Sequence, residues 1–109
     1  MTDEAVAELL TLTCTVSDSG AIRWFNSAGL LHRVHGPAII HTNGTRYWMQ
    51  NGMRHRTDGP AVVWYDGTAI WYLNDTRLSE HLWKRRVHRY KSALAKCQQR
   101  ECAEELTTG

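Results

Sequence analysis

At 109 residues the chain is long enough for one domain with a modest core, and it does not require disulfides or metal ions to hold it together. The formal net charge of +2 is unevenly placed, because positions 1–78 carry six Arg against seven acids whereas positions 79–109 carry seven Lys or Arg against four acids. Basic character is therefore a property of the tail, and the body of the chain is slightly acidic.

Cysteine content and the first residues indicate the compartment. Cys14, Cys97 and Cys102 form an odd set without metal-ligand spacing, which is typical of free thiols in a reducing cytosol. The opening residues contain acids and no long apolar run, so we expect neither a signal peptide nor a membrane span. We interpret the protein as cytoplasmic.

Residues 1–10 predict a short N-terminal helix, because Asp3 and Glu4 stand where the positive end of a helix favours acids. From Leu10 to Val16, apolar residues alternate with threonines, which is the period-two pattern of a half-buried strand. Cys14 lies in this strand, and we interpret it as a small core residue and not as a nucleophile.

The middle of the chain, residues 11–78, contains tandem repeats. Trp24, Trp48 and Trp71 mark successive units at spacings of 24 and 23 residues. The first two units also share a His-Arg pair and a Gly-Pro-Ala triplet, whereas the third, which starts at Gly67, stops after Asn74. Repeats of this period indicate stacked supersecondary units, none of which can bury its apolar face alone.

Each repeat predicts a β-hairpin. In the second, 46–50 reads as a strand, Asn51-Gly52 as a two-residue turn in which both positions accept positive φ, and 53–56 as the return strand. A turn at 58–60 leads into another strand at 61–65, where Pro60 suits a strand entry because it cannot donate to a ladder. We therefore expect an antiparallel meander of about six to nine short strands.

The last predicted element is a long C-terminal helix over 79–105, which Ser79 is placed to cap. It carries one apolar stripe at steps of four and three residues: Trp83, Val87, Tyr90, Leu94 and Cys97. The predicted fold class is α+β, with an antiparallel repeat sheet between a short and a long helix, in a single domain spanning 1–109.

The segment from Trp48 to Ala61 reads Trp-x-x-Asn-Gly-x-x-His-Arg-x-Asp-Gly-Pro-Ala, and a degraded copy runs from Trp24 to Ala38. This motif resembles the repeat of many small phage and bacterial proteins, akin to variant MORN repeats. The resemblance implies β-hairpin scaffolds and includes antitoxin or immunity components among the relatives. Two departures, Asn26-Ser27-Ala28-Gly29 in place of Asn-Gly and Asp75 in place of a turn glycine, lead us to expect reshaped outer hairpins.

The repeated polar residues are interpreted as structural, because a single active site needs one set of groups and not two. His32 and His35 are spaced like a metal pair, but no cysteine or carboxylate stands at zinc-like spacing around them. We expect no metal, no cofactor and no enzymatic activity. The residues assigned to the repeat scaffold are Trp24, Trp48, Trp71, His32, His55, Arg33, Arg56, Gly36, Gly59, Pro37 and Pro60.

Two binding hypotheses follow. In the first, exposed aromatics of the sheet, with Tyr47 and Tyr65 as candidates beside Trp64 and Tyr72, join the C-terminal helix in contacting a protein. By resemblance, that partner is a host or defence-system protein, and the chain is a phage-type inhibitor or anti-defence factor, of which anti-CRISPR proteins are one kind.

In the second hypothesis the helix binds nucleic acid, and a patch of this size could neutralise about four to six phosphates. The same basic residues would serve either partner: Lys84, Arg85, Arg86, Arg89 and Lys91. A plain solvated face, or a basic surface that captures an acidic protein, fits this sequence as well. Periodicity leaves open whether the protein is a monomer or a homodimer through the C-terminal helix.

Overall fold

The structure, a computed structural model, describes residues 3–108, with side chains described up to residue 97. The chain divides into two compact units, one ending at Ser79 and the other beginning at Glu80. The first unit contains helix α1, Asp3–Thr11, and every strand; the second is helix α2, Glu80–Thr108. The α+β fold class predicted from the sequence is confirmed.

Nine strands lie within the described residues: β1 Thr13–Val16, β2 Ile22–Phe25, β3 Ile39–Ile40, β4 Arg46–Tyr47, β5 Met49–Gln50, β6 Met53–Arg54, β7 Val62–Val63, β8 Ala69–Leu73 and β9 Thr76–Leu78. Seven of them form an antiparallel sheet in the order β1-β2-β3-β4-β7-β8-β9, and β5 pairs with β6 in a separate two-stranded sheet. The predicted antiparallel meander is therefore present, as hairpins placed side by side.

The centre of the first unit is a cluster of small and aromatic residues. Ala61, Val62 and Tyr72 are buried together, and Tyr47 and Ile70 pack against them while keeping part of their surface exposed. Alanine in the Gly-Pro-Ala triplet is required here, since Ala61 is fully buried and a larger side chain would have to displace its neighbours.

The predicted strand over 46–50 is in fact two strands, because Trp48 changes the pairing partner. Its N–H donates to Ala61 O at 2.7 Å, toward the large sheet, while its carbonyl accepts from His55 N at 3.0 Å. The residues before Trp48 pair with β3 and β7, and those after it pair with β6. A period-two pattern does not reveal such a change, since both halves keep extended backbone.

The prediction of a half-buried strand over Leu10–Val16 is wrong. Leu10 ends up in α1 and is 83% exposed, and all four residues of β1 are exposed. Cys14 is therefore a surface thiol and not a core residue. The physical reason is position: β1 is an edge strand with β2 as its single neighbour in the described chain, so its alternating apolar residues lack a covering layer.

The turn at Asn74–Asp75 keeps the geometry of Asn51–Gly52 although it lacks glycine. Asn51 and Gly52 have φ of 51° and 79°, and Asn74 and Asp75 have φ of 47° and 68°. Asn and Asp are the non-glycine residues that best tolerate this left-handed region, so the hairpin between β8 and β9 retains a two-residue turn. The longer turn at Asn26–Gly29 does differ: the Asn26 side chain accepts from the N–H groups of Ala28 and Leu30, both at 3.0 Å.

Helix α2 begins at Glu80, directly after Ser79, as predicted, and extends three residues beyond the predicted end. Its apolar stripe is divided by exposure: Trp83 and Val87 are buried, whereas Tyr90 and Leu94 are exposed. Among the described helices, none combines the length and the apolar character needed to cross a membrane.

Candidate functional site

The Arg and Gly of the repeat motif serve one arrangement, in which a guanidinium stacks on the repeat tryptophan. Arg56 Cζ lies 3.8 Å from the ring centroid of Trp48, and Arg33 Cζ lies 4.8 Å from that of Trp24. Each arginine also donates from Nη1 to the proline carbonyl that follows, at 3.1 Å for Pro60 and 3.5 Å for Pro37. Both contacts favour a cation held flat against an aromatic face.

The glycine before each proline leaves room for this guanidinium. A Cβ at Gly59 would lie 3.0 Å from Arg56 Cζ, and a Cβ at Gly36 would lie 2.7 Å from Arg33 Cζ. Neither glycine is needed for a left-handed backbone, because the positive-φ glycines are found elsewhere. The motif thus places Trp, Arg and Gly in layers.

The repeated histidines connect each repeat to the next one. Asn51 N–H donates to His32 Nδ1, and Asn74 N–H donates to His55 Nδ1, both at 3.0 Å. Each ring therefore accepts at Nδ1, an arrangement that leaves Nε2 as the nitrogen available to donate. Burial lowers the pKa of His55, in keeping with this acceptor role.

Backbone contacts reinforce these links between repeats. The second turn residue donates to the preceding repeat in both cases: Gly52 N to Leu31 O at 2.8 Å and Asp75 N to Arg54 O at 2.9 Å. Arg54 adds side-chain contacts to the third repeat, with Nε 2.6 Å from Asp75 Oδ1 and Nη1 3.0 Å from Tyr72 Oη. That carboxylate raises the pKa of Arg54, and the guanidinium in turn lowers the pKa of Asp75.

A contact that sequence analysis missed ties α1 to the first repeat. The Glu8 carboxylate accepts from the N–H groups of Val34 and His35, the latter at 2.9 Å. No local signal could have found it, because the partners are 26 and 27 residues away along the chain and Glu8 reads as an ordinary helix acid. His35, whose spacing from His32 was considered and rejected as a metal pair, thus lies in a backbone bend beside Glu8.

A cleft of about 360 Å³ lies between the bends of the first two repeats. Its polar lining includes Arg33, His35, Gln50, His55, Arg56 and Asp58. The two arginines are engaged with tryptophans and proline carbonyls, and His55 accepts from Asn74 N, so these groups hold the fold. In residues 3–97, no group of three or more His, Cys, Asp or Glu side chains is arranged to hold a metal ion.

The basic residues proposed for binding do not share one face of α2. Arg85, Arg86, Arg89 and Lys91 are exposed, and Lys84 is exposed while pairing with Glu80 at 3.1 Å. At about 100° per residue, Arg85 and Arg89 lie together, whereas Lys84, Arg86 and Lys91 point to other sides. Two residues left out of the proposed set, His88 and Lys96, border the same shallow surface as Arg85 and Arg89. The sequence carried a signal for this grouping: His88 and Arg89 follow Arg85 by three and four residues, and Lys96 follows Arg89 by seven. These spacings place residues on one side of a helix.

We call Arg85, His88, Arg89 and Lys96 the basic face of α2. All four side chains are exposed. This face contains Ser92 and Ala93 between its cations, which leaves the middle of the surface small and shallow.

The candidate aromatic contacts of the first unit fall into two groups. Tyr65 is 68% exposed and Trp64 is 40% exposed, both next to the turn that ends at Gly67. Tyr47 is half-buried against the core cluster, and Tyr72 is buried within it. Tyr72 is therefore wrong as a contact residue, and Tyr47 offers a partner only part of its surface.

Comparison of the chain with protein-family models, with curated proteins and with solved structures returned no match. The resemblance to phage and bacterial repeat proteins therefore rests on the motif residues themselves.

Proposed function

We propose that the protein is a non-enzymatic binding module that contacts an acidic protein through the basic face of α2. The observation that carries this proposal is the grouping of Arg85, His88, Arg89 and Lys96 on one exposed face of α2. Tyr90 and Leu94, 57% and 46% exposed, lie on another side of the same helix. Arginine is among the residue types enriched at interface hot spots, and a partner that reached around the helix to Tyr90 and Leu94 would gain apolar area that a phosphate backbone would not use.

The role we propose is inhibition by occlusion: the repeat unit is a rigid support, and binding covers a surface that the target needs. The resemblance of the motif to repeats of small phage proteins supports a host or defence-system protein as the target, with anti-CRISPR activity as one form. A bacterial antitoxin or immunity component is the alternative that the same resemblance supports. We place the encounter in the cytoplasm, where Cys14 and Cys97, the free thiols of the described residues, would stay reduced.

Nucleic acid is a second candidate, favoured by the basic side chains of Arg85, Arg89 and Lys96 on one face, with His88 among them. The two candidates differ in salt dependence. A helix that neutralises several phosphates loses affinity steeply and linearly on a logarithmic salt scale, with a slope of about −0.9 per phosphate. A mixed interface with apolar contacts loses less, since only its rim charges are screened.

The test is recovery of a target from bacterial lysate, with and without nuclease, on the immobilised full chain. We expect a single protein in near-stoichiometric amount after nuclease treatment. Arg85→Glu and Arg89→Glu should each weaken its binding by about tenfold or more. Arg77→Glu on β9 is the matched control, because Arg77 is also exposed and the charge change is the same.

Recovery that disappears with nuclease would replace the protein target by nucleic acid. Equal affinity of the Arg85→Glu, Arg89→Glu and Arg77→Glu variants for a recovered protein would move the contact surface away from α2. In that case Tyr65→Ala is the next variant, since Tyr65 is the most exposed aromatic residue of the sheet unit.

A further inference from the structure

Within the described residues, the outer edge of β1 has no neighbouring strand to pair with its backbone groups. Ser17 N donates to Ala21 O at 2.9 Å, and Trp24 N donates away from β1, to Ala38 O at 2.8 Å. Pairing alternates along an antiparallel ladder, so Thr13 and Thr15 bond to β2, whereas the N–H and C=O groups of Cys14 and Val16 face outward. Within residues 3–108, β1 has β2 as its single partner strand.

This edge lacks the features that keep sheet edges from pairing. Protected edges carry charged side chains, proline or a bulge, and β1 has the sequence Thr-Cys-Thr-Val with all four residues exposed. Val16 is 67% exposed, although a β-branched apolar residue is normally covered. Cys14 and Val16, two residues apart, each present an N–H and a C=O outward. An added extended strand fits this spacing, because its own backbone groups recur on one side at every second residue.

The segment Leu12-Thr13-Cys14-Thr15-Val16 is symmetric in chemistry about Cys14. If a second copy pairs antiparallel with Cys14 opposite its own equivalent, each Thr13 faces a Thr15 and each Leu12 faces a Val16. Thr–Thr pairs and apolar pairs are both favourable across strands, and the pairing brings no like charges together. The edge is thus complementary to itself.

We propose that two copies of the chain associate through β1, antiparallel and centred on Cys14, to form one continuous sheet. The outward backbone groups supply the hydrogen bonds, and the exposed Val16, with the part of the half-buried Leu12 that remains accessible, supplies the apolar contact. This surface is distinct from the basic face of α2, so each can be tested without the other.

Sedimentation equilibrium and thiol cross-linking test the proposal. In a Cys97→Ser, Cys102→Ser background, a short bis-maleimide should link two copies through Cys14, since paired Cα atoms at this kind of position lie about 5.5 Å apart. The register gives a sharper test with Cys14→Ser added. Under mild oxidation, copies carrying Thr13→Cys should form a disulfide with copies carrying Thr15→Cys. Neither should form one with itself, because those positions are diagonal neighbours about 7–8 Å apart, beyond the reach of a disulfide.

Two charge variants test the register while leaving β1 exposed and the β1–β2 bonds intact. Thr13→Lys with Thr15→Lys places two like-charged pairs across the interface and should weaken dimerisation about tenfold. Thr13→Lys with Thr15→Glu pairs opposite charges, so its dimer affinity should remain within about threefold of that of the original chain. Cys14→Pro removes an outward N–H, keeps the ladder to β2, and should abolish the dimer. Circular dichroism of each variant checks that the sheet is intact.

The proposal is overturned if the chain is monomeric at every concentration, or if a dimer survives both Cys14→Pro and the double-lysine variant. The second result would place dimerisation elsewhere, for instance on α2. A monomer that binds a different protein through β1 would also reject a second copy as the occupant.

Discussion

The first and second repeats carry the same motif residues but bury them to different extents. Trp48 is buried, whereas Trp24 is half-buried, and the arginine stacked on each ring lies at 3.8 Å and 4.8 Å respectively. The second repeat has strands on both sides, while the first lies next to the edge of the sheet. In stacked units, stability therefore depends on position in the array as much as on the motif itself.

The largest expected effect on stability comes from removing the Trp48 and Trp24 rings. Trp48→Ala should lower the free energy of unfolding by about 3–5 kcal/mol, because it leaves a cavity at a buried site and removes the ring on which Arg56 stacks. Trp24→Ala should cost about 1–2 kcal/mol less, since part of that ring is already in water. Urea denaturation measures both, with Trp64→Ala as a control at an exposed tryptophan; equal losses at positions 24 and 48 would contradict the comparison.

The next effect comes from the glycines that make room for the stacked cations. Gly59→Ala should destabilise by about 1 kcal/mol, because the new methyl group would lie 3.0 Å from Arg56 Cζ and force the guanidinium to shift against Trp48 and the Pro60 carbonyl. Gly36→Ala requires a larger movement, because its Cβ would lie 2.7 Å from Arg33 Cζ, but it should cost less, about 0.5–1 kcal/mol, since the stack and the hydrogen bond that Arg33 gives up are both longer.

The mechanism of the glycine effect is checked by non-additivity. If displacement of the guanidinium is the cause, Gly59→Ala should cost little in an Arg56→Ala background. A loss of the same size with and without Arg56 would show that the methyl group clashes with something other than the arginine.

The links between repeats come third. His55→Ala removes the acceptor of Asn74 N–H and should cost about 1 kcal/mol at neutral pH. Because burial lowers the native pKa of His55, the unfolded chain binds the proton more readily, so the stability that His55 contributes is present above about pH 6.5 and is lost as the pH falls below it. The difference in unfolding free energy between the original chain and His55→Ala should shrink on acidification, as measured by urea denaturation at several pH values; a difference that does not change with pH would contradict this role.

How much was predictable depends on whether the signal was local. The Asn51-Gly52 turn, the hairpins and the start of α2 at Glu80 follow from turn and capping chemistry within a few residues. Repetition indicated that His32 and His55 have a structural use, but it could not show that each ring contacts the following repeat, since that contact joins residues 19 apart.

The predictions that were wrong share a physical cause. The pattern of residues within a strand or helix does not show which other elements pack against it or which face each residue occupies. The alternation in β1 is identical for a half-buried strand and for an open edge, and the difference lies in the neighbouring strands. The five cations proposed on α2 formed a cluster along the chain but not around the helix, and counting turns from Arg85 would have selected His88 and Lys96.

The smallest expected effect concerns the third repeat, where Asp75 occupies the glycine position of the turn. Asp75→Gly relieves a residue held at φ 68° but removes the carboxylate that Arg54 contacts at 2.6 Å, so the two changes oppose each other near neutral pH. Arg54 lowers the native pKa of Asp75, so the stability from this pair is present above about pH 4 and is lost as the pH falls through the lowered value.

Asp75→Gly should therefore be close to neutral at pH 7 and should become more stable than the original chain in acid, where the ion pair is gone and the relieved backbone remains. Asp75→Asn separates the two contributions, because asparagine tolerates the same left-handed backbone but carries no charge. If Asp75→Asn and Asp75→Gly have the same stability across the acid range in thermal unfolding, the backbone at position 75 is unstrained and glycine has no advantage there. The second and third turns would then be equivalent, and their difference in sequence would be neutral.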